Sequence, residues 1–104
     1  MLGPGPLKSV YETCLCHELI KRAIRYSRQH YIPVVFDGET LEEGFRIDLW
    51  VDEKVVVELK VVTEMSPLFH SQLITYLKLI HNRIGLFINF NVDHFKGAVK
   101  RIIL

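Results

Sequence analysis

The stretch 46–60, RIDLWVDEKVVVELK, predicts a β-hairpin with charged residues at positions where core residues are expected. Its two flanks are apolar and β-branched, and the polar DEK segment between them is typical of a turn. If that three-residue turn pairs Val51 with Val55, Asp48 lies directly opposite Glu58. Cross-strand neighbours are about 5 Å apart at Cβ, and like charges placed opposite each other destabilise a sheet. A divalent cation is therefore the first candidate for the group that offsets the repulsion.

Length and composition predict one soluble domain over residues 1–104. The chain is 49% hydrophobic and has a formal net charge of +1, which is typical of a compact fold and gives no nucleic-acid signature by itself. Segment 21–30, KRAIRYSRQH, has four basic residues and no acidic one, and a solvated helix face is its simplest interpretation. No apolar run approaches the ~20 residues of a membrane span, and the N-terminus lacks a signal-peptide pattern. We therefore expect a cytoplasmic protein.

The two cysteines, Cys14 and Cys16, are expected to be reduced and to serve in packing. On a helix, residues two apart point to nearly opposite sides and cannot form a disulfide. Together with His17 they form the segment CLCH, but this geometry cannot complete a zinc site, and no second pair of ligands follows.

The pattern along the chain predicts an α/β fold. Good helix formers from about Leu7 to Tyr26 predict a first helix, and the later elements follow from apolar runs and turn signals. They are a strand at 31–36 ended by an Asp37-Gly38 turn, hairpin strands at 44–51 and 55–62, a helix at 66–81, a buried strand at 84–90, and a short helical turn with a closing strand within 94–104. The order α-β-β-β-α-β predicts a mixed β-sheet flanked by helices.

Strand alternation predicts that several polar side chains meet on one patch of this sheet. Alternation divides the second strand into two sets, with Arg46, Asp48 and Trp50 on one face and Ile47, Leu49 and Val51 on the other. Glu58 and Lys60 share a face of the third strand. Two carboxylates suit Mg²⁺, which binds oxygen ligands and usually keeps several waters. With a lysine beside them, they could supply a metal-activated water and positive charge for phosphodiester hydrolysis.

The second predicted helix places Gln72 and Tyr76 four residues apart on one face, where they could look toward the carboxylates. A glutamine amide can hold a water or a phosphate, and a tyrosine hydroxyl can donate a hydrogen bond. Two structural alternatives remain open at this point. The helix pair could be half-buried polar residues at a helix–sheet seam, and the hairpin acids could be neutralised by ion pairs of Lys60 with Glu58 and of Arg46 with Asp48.

An Asp followed on the next strand by Glu58-Leu59-Lys60 resembles the signature of the PD-(D/E)XK nuclease superfamily, here with Arg46-Ile47 before Asp48 instead of a proline. Gln72 and Tyr76 resemble the Q-x-x-x-Y element of RecB-like members. More closely, the chain resembles the small GxxExxY proteins in six ordered blocks that span nearly all of it. The blocks are LGPGPLKSVYE, GFRIDLWV, VVVELKVV, QLITYLKL, GLFINFNV and VKRIIL.

The resemblance implies a restriction-endonuclease-like core and hydrolysis of DNA phosphodiester bonds with Mg²⁺, for which Mn²⁺ can substitute. It implies that Asp48 and Glu58 bind the metal, that Lys60 orients or activates the attacking water, and that Gln72 assists. Two further residues are candidate substrate-assisting groups: Tyr76 and Arg46. Cleavage of a long duplex by one small active site usually requires two protomers, so a homodimer is expected. A non-catalytic nucleic-acid-binding or assembly module that retains the nuclease fold is the alternative.

Many members of the superfamily also use an acidic residue on the first helix. Glu12 is preferred over Glu18 for this role because its distance from the first strand fits the superfamily better, although helical periodicity alone does not separate them. The motif that names the GxxExxY proteins begins at Gly5 and ends at Tyr11, and its Glu position is Lys8 in this chain. Because Lys8 lies four residues before Glu12, these two side chains are expected to pair.

Overall fold

The computed structural model describes residues 4–91 and 98–104 and shows a five-stranded mixed sheet flanked by two helices. The elements in chain order are α1 (Pro4–Lys21), β1 (Tyr26–Ile32), β2 (Val35–Phe36), β3 (Glu39–Thr40), β4 (Phe45–Val51), β5 (Val55–Lys60), α2 (Pro67–Leu79), β6 (Ile84–Asn89) and β7 (Val99–Ile103). The sheet order is β1-β4-β5-β6-β7, and only β5 and β6 run parallel within it. The predicted α/β class with a mixed sheet between helices is confirmed.

The central hairpin has the predicted register. Val51 pairs with Val55, and the antiparallel ladder of β4 and β5 continues as far as Leu49 and Val57. Asp52 and Glu53 make the turn in the left-handed region, with φ of 51° and 55°. The two acids lie one residue beyond the last pair of this ladder, so Asp48 and Glu58 do not form the ladder pair that the sequence predicts.

The first helix is shorter than predicted, and β1 begins earlier. Helix α1 ends at Lys21 because Ala23 adopts a φ of 56°, and the Ile24 backbone N–H donates to the Leu19 carbonyl oxygen at 2.9 Å. This is a Schellman-type C-cap, which usually carries glycine. The sequence has no glycine there to mark the end, and for this reason its pattern predicts a helix as far as Tyr26. Much of segment 21–30 consequently lies in β1 and not on a helix.

The predicted strand at 31–36 is divided between two elements. Its first part completes β1, which ends at Ile32, and its last two residues form β2. Strand β2 pairs with β3 across the Asp37-Gly38 turn, whose φ values of 52° and 76° are both positive. Positive φ at both central residues is typical of a two-residue β-hairpin turn. The turn is confirmed, but it closes a small separate hairpin.

The second helix agrees with its sequence signals. The Ser66 hydroxyl caps it by accepting from the Leu68 backbone N–H at 3.1 Å, and Pro67 is its first residue, where a missing N–H costs nothing. Leu73 and Leu77, four residues apart on one face of the helix, are fully buried. The closing strand is confirmed as β7, while the short helical turn expected before it lies outside the described residues.

The two faces of the sheet carry separate hydrophobic clusters. The buried residues of the cluster on the α2 side are Ile32, Ile47, Val56, Leu73, Leu77, Phe87 and Ile102. The buried residues of the cluster on the α1 side are Cys16, Leu49, Val57 and Leu59. Ile47 and Leu49 therefore lie on opposite faces, and the prediction that they share one face is wrong. The reason is a break in β4, since Asp48 has no ladder partner on β1 or β5 although pairs form on both sides of it along β1.

Both cysteines are free thiols. Cys16 is buried in the cluster beneath α1, as predicted, whereas Cys14 is exposed, so the prediction that it serves in packing is wrong. Within residues 4–91 and 98–104, neither helix is long and apolar enough to cross a membrane.

Candidate functional site

Asp48 and Glu58 form a buried pair at the break in the hairpin. Their residues are only 4% and 6% exposed. The Asp48 backbone N–H donates to Glu58 Oε1 at 3.3 Å, and the Leu59 backbone N–H donates to Asp48 Oδ2 at 2.8 Å. The two carboxylates thus accept hydrogen bonds from backbone N–H groups that would donate to the neighbouring strand in a regular sheet. This arrangement explains how two acids are tolerated in the middle of a sheet.

The surroundings of Glu58 favour its protonated form. Burial, which has the largest effect, acts together with the negative charge of Asp48 and a side-chain hydrogen bond with Asp48 to raise the pKa of the Glu58 carboxyl from 4.5 to about 8. The Asp48 backbone N–H and the positive charge of Lys60 act in the opposite direction. Near neutral pH the pair therefore favours one shared positive partner, either a proton or a bound cation.

A third acid, Glu12 of α1, joins the pair through an amide. Glu12 is 4% exposed, and Gln29 Nε2 donates to its two carboxylate oxygens at 2.9 and 3.1 Å. The same nitrogen lies 3.2 Å from Asp48 Oδ1 and donates to it. On the other side, Arg28 Nε donates to Glu12 Oε1 at 3.1 Å. The acid of the first helix is therefore connected to the hairpin acids by hydrogen bonds.

The alternative first-helix acid lies elsewhere. Glu18 is half-exposed at the surface and forms ion pairs with Arg22 and, at 3.6 Å, with Lys21. The arginine hydrogen bond holds the pKa of the Glu18 carboxyl below its usual value. The structure thus places Glu12, and not Glu18, beside Asp48.

Gln29 is a site residue that the sequence analysis missed. Its backbone has a φ of 52°, in the left-handed region that a non-glycine residue occupies at a cost of about 1–2 kcal/mol. It lies on β1 beside Asp48, at the interruption of the ladder between Arg28–Leu49 and His30–Ile47. Strained backbone of this kind is concentrated at functional sites. The position of β1 would have identified Gln29, because β1 brings it beside Asp48. The sequence pattern predicts this strand to begin at residue 31, and it begins at Tyr26.

Lys8 forms an ion pair with Asp48 and not with Glu12. Its Nζ lies 3.0 Å from Asp48 Oδ1, so the predicted pairing of Lys8 with Glu12 is wrong. Helix α1 is held in this position in part by Tyr11, whose ring stacks on Phe90 with centroids 4.4 Å apart. A half-buried ammonium thus faces the carboxylate that the sequence assigns to a metal.

Lys60 and Tyr76 lie within the electrostatic field of the acids. Lys60 Nζ is 4.1 Å from the centroid of the Phe69 ring, and its charge lowers the pKa of Glu58 without a direct salt bridge in the described part of the chain. Tyr76 is half-buried against Phe45. Burial and the negative charges of Glu58 and Asp48 raise the pKa of the Tyr76 hydroxyl.

The structure does not bring the other two candidates to the carboxylates. Gln72 is exposed on α2 and donates no hydrogen bond to any described acid. Arg46 is also exposed, and its Nη1 donates to the Gln29 carbonyl oxygen at 3.3 Å while its guanidinium lies over the Tyr31 ring. The alternative pairing of Arg46 with Asp48 does not form.

A groove of about 430 Å³ opens beside the site. It is lined by Lys8, Ser9, Glu12, Arg28 and Gln29. Two of these residues are cationic and a third is an amide, and all three donate to Glu12 or Asp48, so an anion such as a phosphate would compete with these carboxylates for the donors.

The acids offer part of what a metal requires. Among the described residues, no group of three or more His, Cys, Asp and Glu side chains has the geometry of a metal site. Two carboxylates are nevertheless sufficient for Mg²⁺ when it keeps several waters. Asp48 and Glu58 fit that requirement, since they are adjacent and jointly favour a positive partner. Asp48 Oδ1 is at present engaged by Lys8 and Gln29.

One of three comparisons with known proteins found a match for this chain. A comparison with curated proteins and another with solved structures gave no significant match. A family model, that of the PD-(D/E)XK nuclease superfamily, matches residues 1–102, and the mixed sheet with its flanking helices is consistent with a restriction-endonuclease-like fold. The chain belongs to the PD-(D/E)XK nuclease superfamily.

Proposed function

We propose that the protein is a Mg²⁺-dependent nuclease that hydrolyses DNA phosphodiester bonds, and that Mn²⁺ can replace Mg²⁺. Membership of the nuclease superfamily supports a nuclease-like function, and nucleases of this superfamily generally use divalent metals. Within it, we propose a RecB-like member of the GxxExxY type. The observation that carries the proposal is the buried pair of Asp48 and Glu58, with Lys60 on the same strand.

In this proposal the residues have separate tasks. Asp48 and Glu58 hold the metal, which when bound lowers the pKa of water and offsets negative charge in the transition state. The Lys60 ammonium orients the attacking water or a phosphate oxygen, and it needs to move away from the Phe69 ring to do so. Gln29 keeps the Asp48 carboxylate oriented by donating to Oδ1.

The groove beside Lys8 and Arg28 supports a nucleic-acid substrate. Phosphates are bound mainly by lysine and arginine side chains, and such binding weakens steeply with salt. We therefore propose that the DNA backbone enters along this groove toward Asp48. A DNA affinity that does not change with salt concentration would argue against this route.

The proposal is tested by a cleavage assay on mixed DNA substrates with Mg²⁺ or Mn²⁺. Wild type is compared with Lys60→Ala and with the control Lys78→Ala, which removes an exposed lysine from α2. We expect metal-dependent cleavage that falls at least about 100-fold in Lys60→Ala and is unchanged in Lys78→Ala. Wild-type protein that binds Mn²⁺ but cleaves no substrate would contradict the proposal.

A non-catalytic nucleic-acid-binding or assembly module is the second candidate. The observation in its favour is the ion pair of Lys8 with Asp48, which satisfies the acid without a metal. This candidate predicts salt-dependent DNA binding that needs no divalent ion and is accompanied by no cleavage.

A further inference from the structure

We propose that Lys8 is a tethered cation that competes with the divalent metal for Asp48, so that metal enters only as the ammonium leaves. The inference rests on the proposed metal site and adds a control on its occupancy. It starts from the contact of Lys8 Nζ with Asp48 Oδ1 at 3.0 Å. The Lys8 side chain is 32% exposed and that of Asp48 is 6% exposed, so the pair is only partly screened by water.

The oxygen atoms of Asp48 are already committed. Oδ2 accepts from the Leu59 backbone N–H at 2.8 Å, and Oδ1 accepts from both Lys8 and Gln29. The Leu59 donor belongs to the strand and cannot leave. Lys8 is the only one of these donors that also carries a full positive charge, and a metal bound at Oδ1 would lie against it. Electrostatic repulsion between two cations at one oxygen therefore makes the ammonium and the metal compete for Asp48.

The Lys8 side chain has space beside Asp48 into which it can move. It lines the groove of about 430 Å³ together with Ser9, Glu12, Arg28 and Gln29. A lysine side chain has a flexible four-carbon chain and a strongly hydrated ammonium. It can therefore change rotamer and move into that groove without a change in the backbone. Gln29, in contrast, is held by Glu12 as well and stays in place.

The test is calorimetric titration of Mn²⁺, with thermal unfolding in the presence and absence of Mn²⁺ as the second measurement. Lys8→Met removes the charge, Lys8→Gln removes it with a polar replacement, and Lys8→Arg retains it. Lys54→Met is the matched control, because Lys54 also forms an ion pair with an aspartate, Asp52, at 3.6 Å on the surface. Circular dichroism verifies that each variant is folded.

We expect Lys8→Met and Lys8→Gln to bind Mn²⁺ about tenfold more tightly than wild type and to gain a larger increase in Tm from Mn²⁺. Lys8→Arg and Lys54→Met should match wild type. Adding Asp48→Asn to Lys8→Met should abolish the binding. If wild type and both neutral variants share one measurable Kd, or if Asp48→Asn leaves the binding intact, the competition is overturned. Absence of Mn²⁺ binding in every variant would instead overturn the proposed metal-dependent function together with this inference.

Discussion

Glu58 is the residue of the candidate site whose protonation differs most from that of a free side chain. Its carboxyl is buried beside Asp48, and its pKa of about 8 means that the folded protein binds a proton there which the unfolded chain releases at much lower pH. In the proposed metal site, an entering cation would replace that proton. We therefore expect the destabilising burial of a second acid to favour binding of a cation at this pair.

The raised pKa of Glu58 predicts a pH dependence of stability in metal-free buffer. Because the folded-state pKa lies above the ordinary value of 4.5, the stabilisation is complete below about pH 4.5 and is lost as pH rises through about 8. We expect the Glu58 contribution to the free energy of unfolding to fall by up to about 1.4 kcal/mol per pH unit across this range. Urea titrations of wild type and Glu58→Gln between pH 5 and 8.5 measure it. The same slope in both proteins would contradict the assignment.

Gln29 allows backbone strain and side-chain function to be separated. Gln29→Ala and Gln29→Gly both remove the amide that joins Glu12 to Asp48, but only glycine adopts the φ of 52° without strain. We expect Gln29→Gly to be more stable than Gln29→Ala by about 1 kcal/mol. Chemical denaturation measures the difference. Equal stabilities of the two variants would show that the left-handed backbone at this position carries no strain.

At the level of elements, the end of α1 depends on one backbone conformation and not on a glycine. Ala23 occupies the left-handed C-cap position, and the bonds from Ala23 N to Ile20 O and from Ile24 N to Leu19 O close the helix. This early end frees Tyr26–Ile32 to become β1, and it thereby brings Arg28 and Gln29 to Glu12. The site depends on where this helix stops.

Ala23→Gly is expected to stabilise the protein by about 0.5–1 kcal/mol, since glycine relieves the cost of a positive φ at this cap. Thermal unfolding measures the gain as a rise in Tm. Ile20→Gly, inside the same helix, is the control and is expected to destabilise the protein by about 1 kcal/mol or more. A Tm for Ala23→Gly below that of wild type would contradict the observed cap.

The contact of α2 with β6 requires a glycine. A Cβ added at Gly85 would lie 2.8 Å from Leu73 Cδ2 and 3.0 Å from Leu73 Cγ, and Leu73 is fully buried. Gly85→Ala is expected to cost about 1–3 kcal/mol of stability, because the helix or the leucine has to shift. In a Leu73→Ala background the cost should be smaller. A double-mutant cycle in urea measures this coupling, and strictly additive effects would contradict it.

At the level of the whole molecule, the candidate site draws on four elements. Glu12 and Lys8 come from α1, Gln29 from β1, Asp48 from β4 and Glu58 from β5. The described chain carries a single pair of hairpin acids, and a DNA duplex has two strands to cut. We therefore propose that the active form is a homodimer.

A homodimer predicts a particular cleavage product. Light scattering at the assay concentration should give about twice the mass of one chain, which is 12.1 kDa. Supercoiled plasmid should become linear DNA with little accumulation of the nicked form, because two sites act on one duplex. A monomer that produces only nicked circles would contradict the dimer and leave the single site intact.

The sequence by itself determined the features that depend on neighbours along the chain. The register of the Asp48–Glu58 hairpin follows from a short turn, and the start of α2 follows from a serine cap and a proline, so local physics decides both. Only the tertiary structure decided that Lys8 contacts Asp48, that Gln29 bridges two acids, and that Arg46 and Gln72 lie away from them. These contacts join segments about 20 to 40 residues apart and depend on how α1 docks on the sheet. The turn that joins α1 to β1 depends on an alanine in a left-handed conformation, for which the sequence carries no local signal.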